Sequence, residues 1–251
     1  MPVLHLVIPF LNEQDTLETV VGRVEQVIWP RGWSVRMILV DDGSSEDAAT
    51  SAAALRDRHP DLQLLRHASN FGKGAALRTG FAQAIEHADA ADLVGVQDAD
   101  LEYAPSDLVQ FVETFGLDDA SIDAIVGNRW LELQPNVIRR VHRLANGFLT
   151  LVSNRLTGLK IHDMECCYKL IRVPMLRKIL PDLDEDQFAV EPQIAAALAR
   201  HGARVAEVGV SYDPRSFAEG KKIGVRDGFD AVASMIREWR RSRRHRRSTS
   251  Q

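Results

Sequence analysis

Three acidic residues, Asp98, Asp100 and Glu102, follow directly on a short apolar segment, Leu-Val-Gly-Val at 93–96. Alternate residues of an extended chain point the same way, so the three carboxylates are predicted to project from one side of a strand end. Like charges repel in a shared cleft unless a cation lies between them. Mg²⁺ and Mn²⁺ prefer oxygen ligands, and Mg²⁺ typically binds one or two carboxylates together with substrate phosphates. The pattern therefore predicts a cation and diphosphate site, and its plainer alternative is a solvated acidic turn.

The segments before and around this cluster alternate between strands and helices. Apolar strands are predicted at 4–8, 35–40, 62–65 and 93–96, with helices ending near Ile28, starting after Ser45 and covering about 75–88. This alternation favours right-handed crossovers and a largely parallel sheet, in which ligands bind beyond the carboxyl ends of the strands. Polar residues that end three strands are thereby brought to one edge: Pro9 to Glu13, Asp41 with Asp42, and Asp98 to Glu102.

A glycine-lysine-glycine segment, Gly72-Lys73-Gly74, precedes the third predicted helix. It lacks the third glycine of a dinucleotide fingerprint, and the chain has no phosphate loop of the Gly-x-x-x-x-Gly-Lys-Ser/Thr type. Backbone N–H groups and Lys73 at a helix start can still approach a phosphate, although an ordinary loop fits the same residues.

Composition is that of an ordinary globular protein, with 251 residues, 45% hydrophobic and 26% charged. We expect one catalytic domain over 1–231, followed at 232–251 by the end of an amphipathic helix and a basic, disordered tail. No run approaches the roughly twenty apolar residues of a membrane span, and no basic-then-apolar leader opens the chain. A cytoplasmic protein is therefore expected. The adjacent Cys166 and Cys167 suit neither a disulfide framework nor a zinc site, which leaves packing as their role.

Charge is distributed unevenly along the chain. Seven arginines lie between Arg237 and Arg247 with only Glu238 against them, which leaves 24 basic and 34 acidic residues, a balance of −10, in 1–236. Such an acidic body argues against a nucleic-acid partner. A stripe of apolar residues precedes the arginines at Val225, Phe229, Val232, Ile236 and Trp239. This stripe is typical of a core-packing helix, but a basic cluster beside a tryptophan also suits an anionic membrane surface at the inner face of the membrane.

Several short motifs occur in a fixed order along residues 3–229: Pro9-x-x-Asn12-Glu13, Val40-Asp41-Asp42-Gly43-Ser44, Asn70-x-Gly72-Lys73-Gly74, Gln97-Asp98-Ala99-Asp100-Leu101-Glu102, Gly127-Asn128-Arg129, Asp163-x-Glu165-x-Cys167-Tyr168-Lys169, and Tyr212-x-x-Arg215 with Gly220-Lys221-Lys222-Ile223. As an ordered set they resemble the family 2 glycosyltransferases, and specifically the branch that contains dolichyl- and polyprenyl-phosphate mannose or glucose synthases.

This resemblance implies an α/β, glycosyltransferase A-type fold with a mostly parallel central sheet flanked by helices. It also implies roles for individual positions. The base and ribose of the sugar donor's nucleotide are expected at Pro9, Leu11, Glu13, Val40 and Asp42, and Lys73, at the start of the third predicted helix, is the further candidate for a cofactor contact. Mg²⁺ or Mn²⁺ is placed on Asp98 and Asp100, with Glu102 completing its surroundings. Donor phosphates are placed near Arg129, Arg215 and Lys221, and the acceptor phosphate on one of Arg139, Arg140 and Arg143. Asp163 and Glu165 are candidates for a general base or for contacts to the donor sugar, and a salt bridge to Arg172 is the structural alternative.

The implied reaction is metal-dependent, inverting transfer of a hexose from GDP-mannose or UDP-glucose to polyprenyl phosphate. A phosphate monoester has a second pKa of about 6, so this acceptor hardly needs a general base. The same donor chemistry with a saccharide or small-molecule hydroxyl as acceptor is the first alternative, and that acceptor would need a base. A non-catalytic protein that binds nucleotide sugars is the second.

Overall fold

The computed structural model describes residues 1–117, 122–131, 137–214 and 225–248. Seven strands of these residues form one sheet: β1 Val3–Phe10, β2 Ser34–Asp41, β3 Gln63–Arg66, β4 Leu93–Val96, β5 Ala124–Asn128, β6 Lys169–Arg172 and β7 Val205–Gly209. Their order is β3-β2-β1-β4-β6-β5-β7. Only β6 runs antiparallel to its neighbours, β4 and β5, while the other strand pairs are parallel. The prediction of a mostly parallel sheet is confirmed.

One edge of the sheet collects the ends of strands that are far apart in sequence. β1 and β2 pair in register as far as Phe10 with Asp41, so both strands end at the same level. β4 ends beside them, and the N–H of Gln97 donates to the carbonyl of Val7 at 2.9 Å. Because β6 is antiparallel to β4 and β5, the start of β6 and the end of β5 lie at this edge too. We call it the carboxyl edge.

Eight α-helices connect or follow these strands within the described residues: α1 Gln14–Glu25, α2 Glu46–Arg58, α3 Lys73–Glu86, α4 Leu108–Leu117, α5 Val137–Thr157, α6 Val173–Ile179, α7 Val190–Arg200 and α8 Val225–Ser248. The predicted helices are present, but α1 ends before Ile28. The N–H of Val27 donates to the carbonyl of Val24, a three-residue spacing that tightens and closes the last turn.

The main hydrophobic core lies on the sheet. The residues of β1 from Leu4 to Phe10 are buried, and α3 packs directly on this strand. Gly80 makes that approach possible, because a Cβ at this position would stand 2.3 Å from Cγ1 of Val7. The central strands are therefore tightly packed, and they fix the positions of the loops at the carboxyl edge.

The last helix buries polar as well as apolar side chains. Those that are buried and described are Ala231, Ser234, Met235 and Glu238. Of the predicted stripe, Val232 and Trp239 are half-buried and Ile236 is exposed, while the side chains of Val225 and Phe229 are not described. Glu238 is held inward because its carboxylate accepts hydrogen bonds from Arg200 and Gln193 on α7. The helix continues to Ser248, through positions where a disordered tail was expected. The division of the chain at residue 231 stays a prediction.

Candidate functional site

The loops after β1 and β2 are tied to each other at the carboxyl edge. Asn12 adopts a positive φ of 55°, its N–H donates to Oγ of Ser44 at 2.9 Å, and its side-chain oxygen accepts the N–H of Ser45 at 2.8 Å. Of the predicted nucleotide contacts here, Pro9 and Val40 are buried neighbours across the two strands, and Leu11 and Glu13 are partly exposed. The structure thus brings these four positions together at one end of the sheet.

Asp42 is buried and holds the loop that leads into α3. Its Oδ1 accepts the N–H of Phe71 at 3.0 Å and lies 2.8 Å from Nδ1 of His67, while its Oδ2 accepts the N–H of Gly72 at 2.7 Å. Gly72 has a φ of +106°, and a Cβ there would stand 2.3 Å from the carbonyl oxygen of Asp186. These contacts fix the start of α3, where Lys73 is the first helical residue.

Four charged side chains of alternating sign connect the edge to α7. Nζ of Lys73 lies 2.8 Å from Oδ1 of Asp98 and 3.4 Å from Oε1 of Glu191. Glu191 in turn pairs with Lys169, which is buried at the start of β6. Although burial opposes it, the charges of Asp98 and Glu191 raise the pKa of Lys73 well above its usual value. Lys73 is therefore a permanent ammonium beside the predicted metal ligand.

Asp100 and Glu102 follow in the same loop. Oδ1 of Asp100 accepts the N–H of Glu102 at 3.0 Å, and Glu102 also hydrogen-bonds Tyr212 beyond β7. Burial, followed by the charges of Asp98 and Glu102, raises the pKa of Asp100 to about 7. These carboxylates thus disfavour one another's charge, as expected where a cation would bind.

The predicted metal ligands Asp98, Asp100 and Glu102 stay a prediction, because in the described residues their side chains point to different partners. No three His, Cys, Asp or Glu side chains of these residues are grouped so that they could hold a metal ion. The reason is local, because Asp98 turns toward Lys73 while Glu102 turns toward Tyr212.

Arg129 and Asp163 form a buried ion pair between the end of β5 and the loop before β6. Nε of Arg129 lies 2.7 Å from Oδ2 of Asp163 and Nη2 lies 2.8 Å from Oδ1. The backbone N–H of Arg129 and the amide of Asn146 also donate to this carboxylate, at 3.0 and 2.8 Å. Burial alone would raise the pKa of Asp163, but the charge and hydrogen bonds of Arg129 lower it. Both oxygens of Asp163 thus accept hydrogen bonds from Arg129, and the ion-pair partner of Asp163 is Arg129 and not Arg172.

Glu165 differs from Asp163 in having an unsatisfied oxygen. Its Oε1 is shielded from water and has no hydrogen-bond partner. Burial, followed by the charge of Glu191, raises the pKa of Glu165 to about 7. A carboxyl group of this kind can take up or release a proton near neutral pH, as a general base or acid must.

Several predicted residues lie outside the described part of the chain. Arg215 and Lys221 lie between residues 215 and 224, outside the described residues, and the side chains of Arg139 and Arg140 are likewise not described. Arg143 is described and is exposed on α5. The predicted donor-phosphate and acceptor-phosphate contacts of these residues remain predictions.

Sequence reasoning missed three residues that support the site: His67 beside Asp42, Asn146 beside Asp163, and Glu191 between two lysines. Only Glu191 had a local signal, because it is a charged residue in the otherwise largely apolar stretch 188–198. The two cysteines are buried and free, in agreement with a packing role.

The fold is that of the GT-A glycosyltransferases. A crystal structure of glucosyl-3-phosphoglycerate synthase from Mycobacterium tuberculosis, in complex with Mn²⁺, uridine diphosphate and phosphoglyceric acid, superposes with a TM-score of 0.66 over 95% of this chain and 78% of that one, at 18% identity. Residues 5–180 match the sequence model of the family "Glycosyl transferase family 2", and the chain belongs to that family.

Two relatives are named after lipid phosphates. Undecaprenyl-phosphate 4-deoxy-4-formamido-L-arabinose transferase of Pseudomonas aeruginosa is 31% identical over 89% of this chain and 61% of its own length. Polyprenol monophosphomannose synthase of Mycolicibacterium smegmatis is 27% identical over 93% of this chain and 85% of its own length. The chain thus spans about three fifths of the first relative. Among the described helices, none has the length and apolar character that crossing a membrane requires.

Proposed function

We propose that this protein is a metal-dependent, inverting glycosyltransferase that moves a hexose from a nucleoside diphosphate sugar, GDP-mannose or UDP-glucose, to polyprenyl phosphate. The observation that carries the proposal is the meeting of Asp98, Asp100 and Lys73 at the carboxyl edge of a family 2 chain. Acidic and cationic groups side by side suit a donor diphosphate with its counter-cation. The names of the two relatives support a polyprenyl phosphate acceptor.

Asp98, Asp100 and Glu102 fit a divalent cation in ligand type and in charge. Lys73 already places one positive charge against Asp98, and the raised pKa of Asp100 marks a carboxyl group that lacks enough positive charge nearby. When bound, Mg²⁺ or Mn²⁺ would neutralise charge on the departing nucleoside diphosphate. Its presence with uridine diphosphate in the structural relative supports this assignment.

The remaining donor contacts would come from the loops of the carboxyl edge. Pro9, Leu11, Glu13 and Val40 would line the nucleotide, and Asp42 would shape this pocket by holding the start of α3. Arg129, Arg215 and Lys221 would meet the phosphates. The guanidinium carbon of Arg129 lies 5.2 and 5.0 Å from the ring centres of Trp130 and Tyr212, so this cation is prepositioned at the edge.

The acceptor would be an ionised phosphate, whose oxygen can attack the sugar without a general base. One of Arg139, Arg140 and Arg143 would bind it. A lipid acceptor also requires contact with a bilayer, and the basic C-terminus would supply attraction to anionic lipid at the inner face of the membrane.

One observation favours a second candidate, transfer to a hydroxyl group. Glu165 has a pKa of about 7 and an unpartnered oxygen, which suits the general base that a saccharide or small-molecule hydroxyl would need.

An assay of nucleoside diphosphate release separates these possibilities. The protein is incubated with GDP-mannose or UDP-glucose, with Mg²⁺, Mn²⁺ or EDTA, and with polyprenyl phosphate, polyprenol or a soluble saccharide. We expect release that needs both the cation and polyprenyl phosphate, and that Asp98→Asn abolishes. The matched control, Asp57→Asn, alters an exposed carboxylate on α2 and should be fully active. Release with polyprenol or saccharide would favour the hydroxyl acceptor, and no release under any condition would indicate a non-catalytic nucleotide-sugar-binding protein.

A further inference from the structure

Helix α5 buries three polar side chains while it leaves three large apolar side chains exposed to solvent, which is unusual for a helix that packs on a globular body in water. The buried polar side chains are Asn146, Thr150 and Ser153. The outward apolar side chains are Leu144, Phe148 and Leu151, which are 76%, 62% and 65% exposed. Spacings of four and three residues place these in one stripe, which we call the α5 stripe.

The candidate site fixes the rotation of α5. Asn146 donates to Oδ1 of Asp163 at 2.8 Å, and Oγ1 of Thr150 accepts the N–H of Met164 at 3.2 Å. A rotation that buried the α5 stripe would break both hydrogen bonds and expose the partner of Arg129. The apolar face is thus held outward by the same contacts that build the site.

Basic residues border the α5 stripe. Arg143 and Arg155 are exposed on the same helix. On one flank, α8 packs against α5 through Ala231 and Met235, which share a hydrophobic cluster with Leu149, Val152 and Leu156. The sequence of α8 then continues into the seven arginines between 237 and 247.

We propose that the α5 stripe inserts into the headgroup region of an anionic lipid bilayer. An apolar helix face with the exposed Arg143 and Arg155 beside it matches such a surface in both polarity and charge. The same arginines would repel a second copy of this face, because like charges would then oppose each other. Leu144 of the stripe is two residues from Asn146, which hydrogen-bonds Asp163. Insertion of the stripe would therefore bring the Arg129–Asp163 pair close to the lipid headgroups. The purpose of the contact rests on the proposed function, since the acceptor would lie in that bilayer.

The test is sedimentation with vesicles of phosphatidylglycerol and phosphatidylcholine in equal parts, and with vesicles of phosphatidylcholine alone. Replacing Leu144, Phe148 and Leu151 by serine should weaken binding to the anionic vesicles by about tenfold for each side chain whose burial is lost. The matched control is Ile28→Ser, which removes an equally large side chain that is 91% exposed after α1 and should change nothing. Deleting 243–251 should weaken binding to anionic vesicles and leave binding to neutral vesicles unchanged.

A second measurement does not depend on multiple substitutions. The native cysteines are buried, so Phe148→Cys can be labelled alone with a polarity-sensitive fluorophore. Anionic vesicles should shift its emission to shorter wavelength, and the same label at Ile28→Cys should not shift.

Two results would overturn the proposal. One is equal vesicle binding by the serine variant and the intact protein. The other is a dimer in analytical ultracentrifugation that the serine variant dissociates while vesicle binding is unchanged, which would assign the α5 stripe to a second copy. The vesicle experiments contain no sugar nucleotide, so they test membrane binding separately from catalysis. A protein that binds vesicles but shows no turnover in the release assay would refute the proposed function and leave the membrane contact standing.

Discussion

The Arg129–Asp163 ion pair yields the sharpest prediction about the role of a predicted catalytic residue. Asp163→Asn keeps the shape of the side chain but leaves Arg129, whose side chain is only 12% exposed, without its counter-charge. Breaking a buried pair from one side typically costs about 3–5 kcal/mol. We expect the lower end, about 3 kcal/mol, because aromatic rings flank this guanidinium and an asparagine oxygen can still accept one hydrogen bond. For a chain of this length, that is a fall in melting temperature of about 6–12 °C.

The assay is calorimetric or fluorescence-detected melting at neutral pH, with two comparisons. Glu18→Gln removes a carboxylate from an ion pair of equal length, 2.7 Å, that is exposed, so we expect no measurable change. Arg129→Met combined with Asp163→Asn removes both charges and should melt at a higher temperature than Asp163→Asn alone. A stable Asp163→Asn variant that has lost its activity would refute this reasoning, because Asp163 would then act in the chemistry itself.

Three further predictions concern the other charged groups of the site. Glu165 binds its proton more tightly when folded, so its contribution to stability is fully present below about pH 4.5 and is lost as pH rises to about 7. Glu165→Gln should therefore be more stable than the wild type by about 3 kcal/mol at about pH 8 and equal to it at about pH 4, as melting curves would show. Asp42→Ala should cost about 2 kcal/mol and speed proteolysis of the 67–72 loop, because it frees the N–H groups of Phe71 and Gly72; equal cleavage rates would contradict this. Lys73→Met should tighten Mn²⁺ binding in a paramagnetic resonance titration, because the Lys73 ammonium no longer competes with the cation for Asp98. An unchanged Mn²⁺ affinity would show that Lys73 does not influence the cation site.

The sheet and its carboxyl edge could be predicted from the sequence because they depend on local patterns. Apolar runs such as 4–8 and 93–96, each followed by polar residues, were enough to predict parallel strands that end together, and β1 and β4 confirm this. Strand ends are set by the chain itself, so the loops that carry Asp42 and Asp98 were placed at the right edge.

The partners of individual side chains could not be predicted in the same way. Asp98 meets Lys73 from another loop, and Asp163 meets Arg129 instead of Arg172, because burial and competition among distant charges decide these pairs. The buried face of α8 was predicted only in part, for a related reason. Val232 and Trp239 of the apolar stripe are half-buried but Ile236 is exposed, and the ion pair with Arg200 buries the charged Glu238 instead.

The central claim, transfer of a sugar to a lipid phosphate, is tested most directly by the chemical structure of the product. The protein, a sugar nucleotide, Mg²⁺ or Mn²⁺ and polyprenyl phosphate are incubated with vesicles, and the lipid fraction is analysed by mass spectrometry and by ³¹P and ¹H nuclear magnetic resonance. The proposal predicts a polyprenyl phosphate heavier by one sugar residue, with a phosphodiester at the anomeric carbon whose configuration is opposite to that of the donor. An unmodified lipid together with a glycosylated hydroxyl compound, or a product that retains the donor configuration, would contradict it.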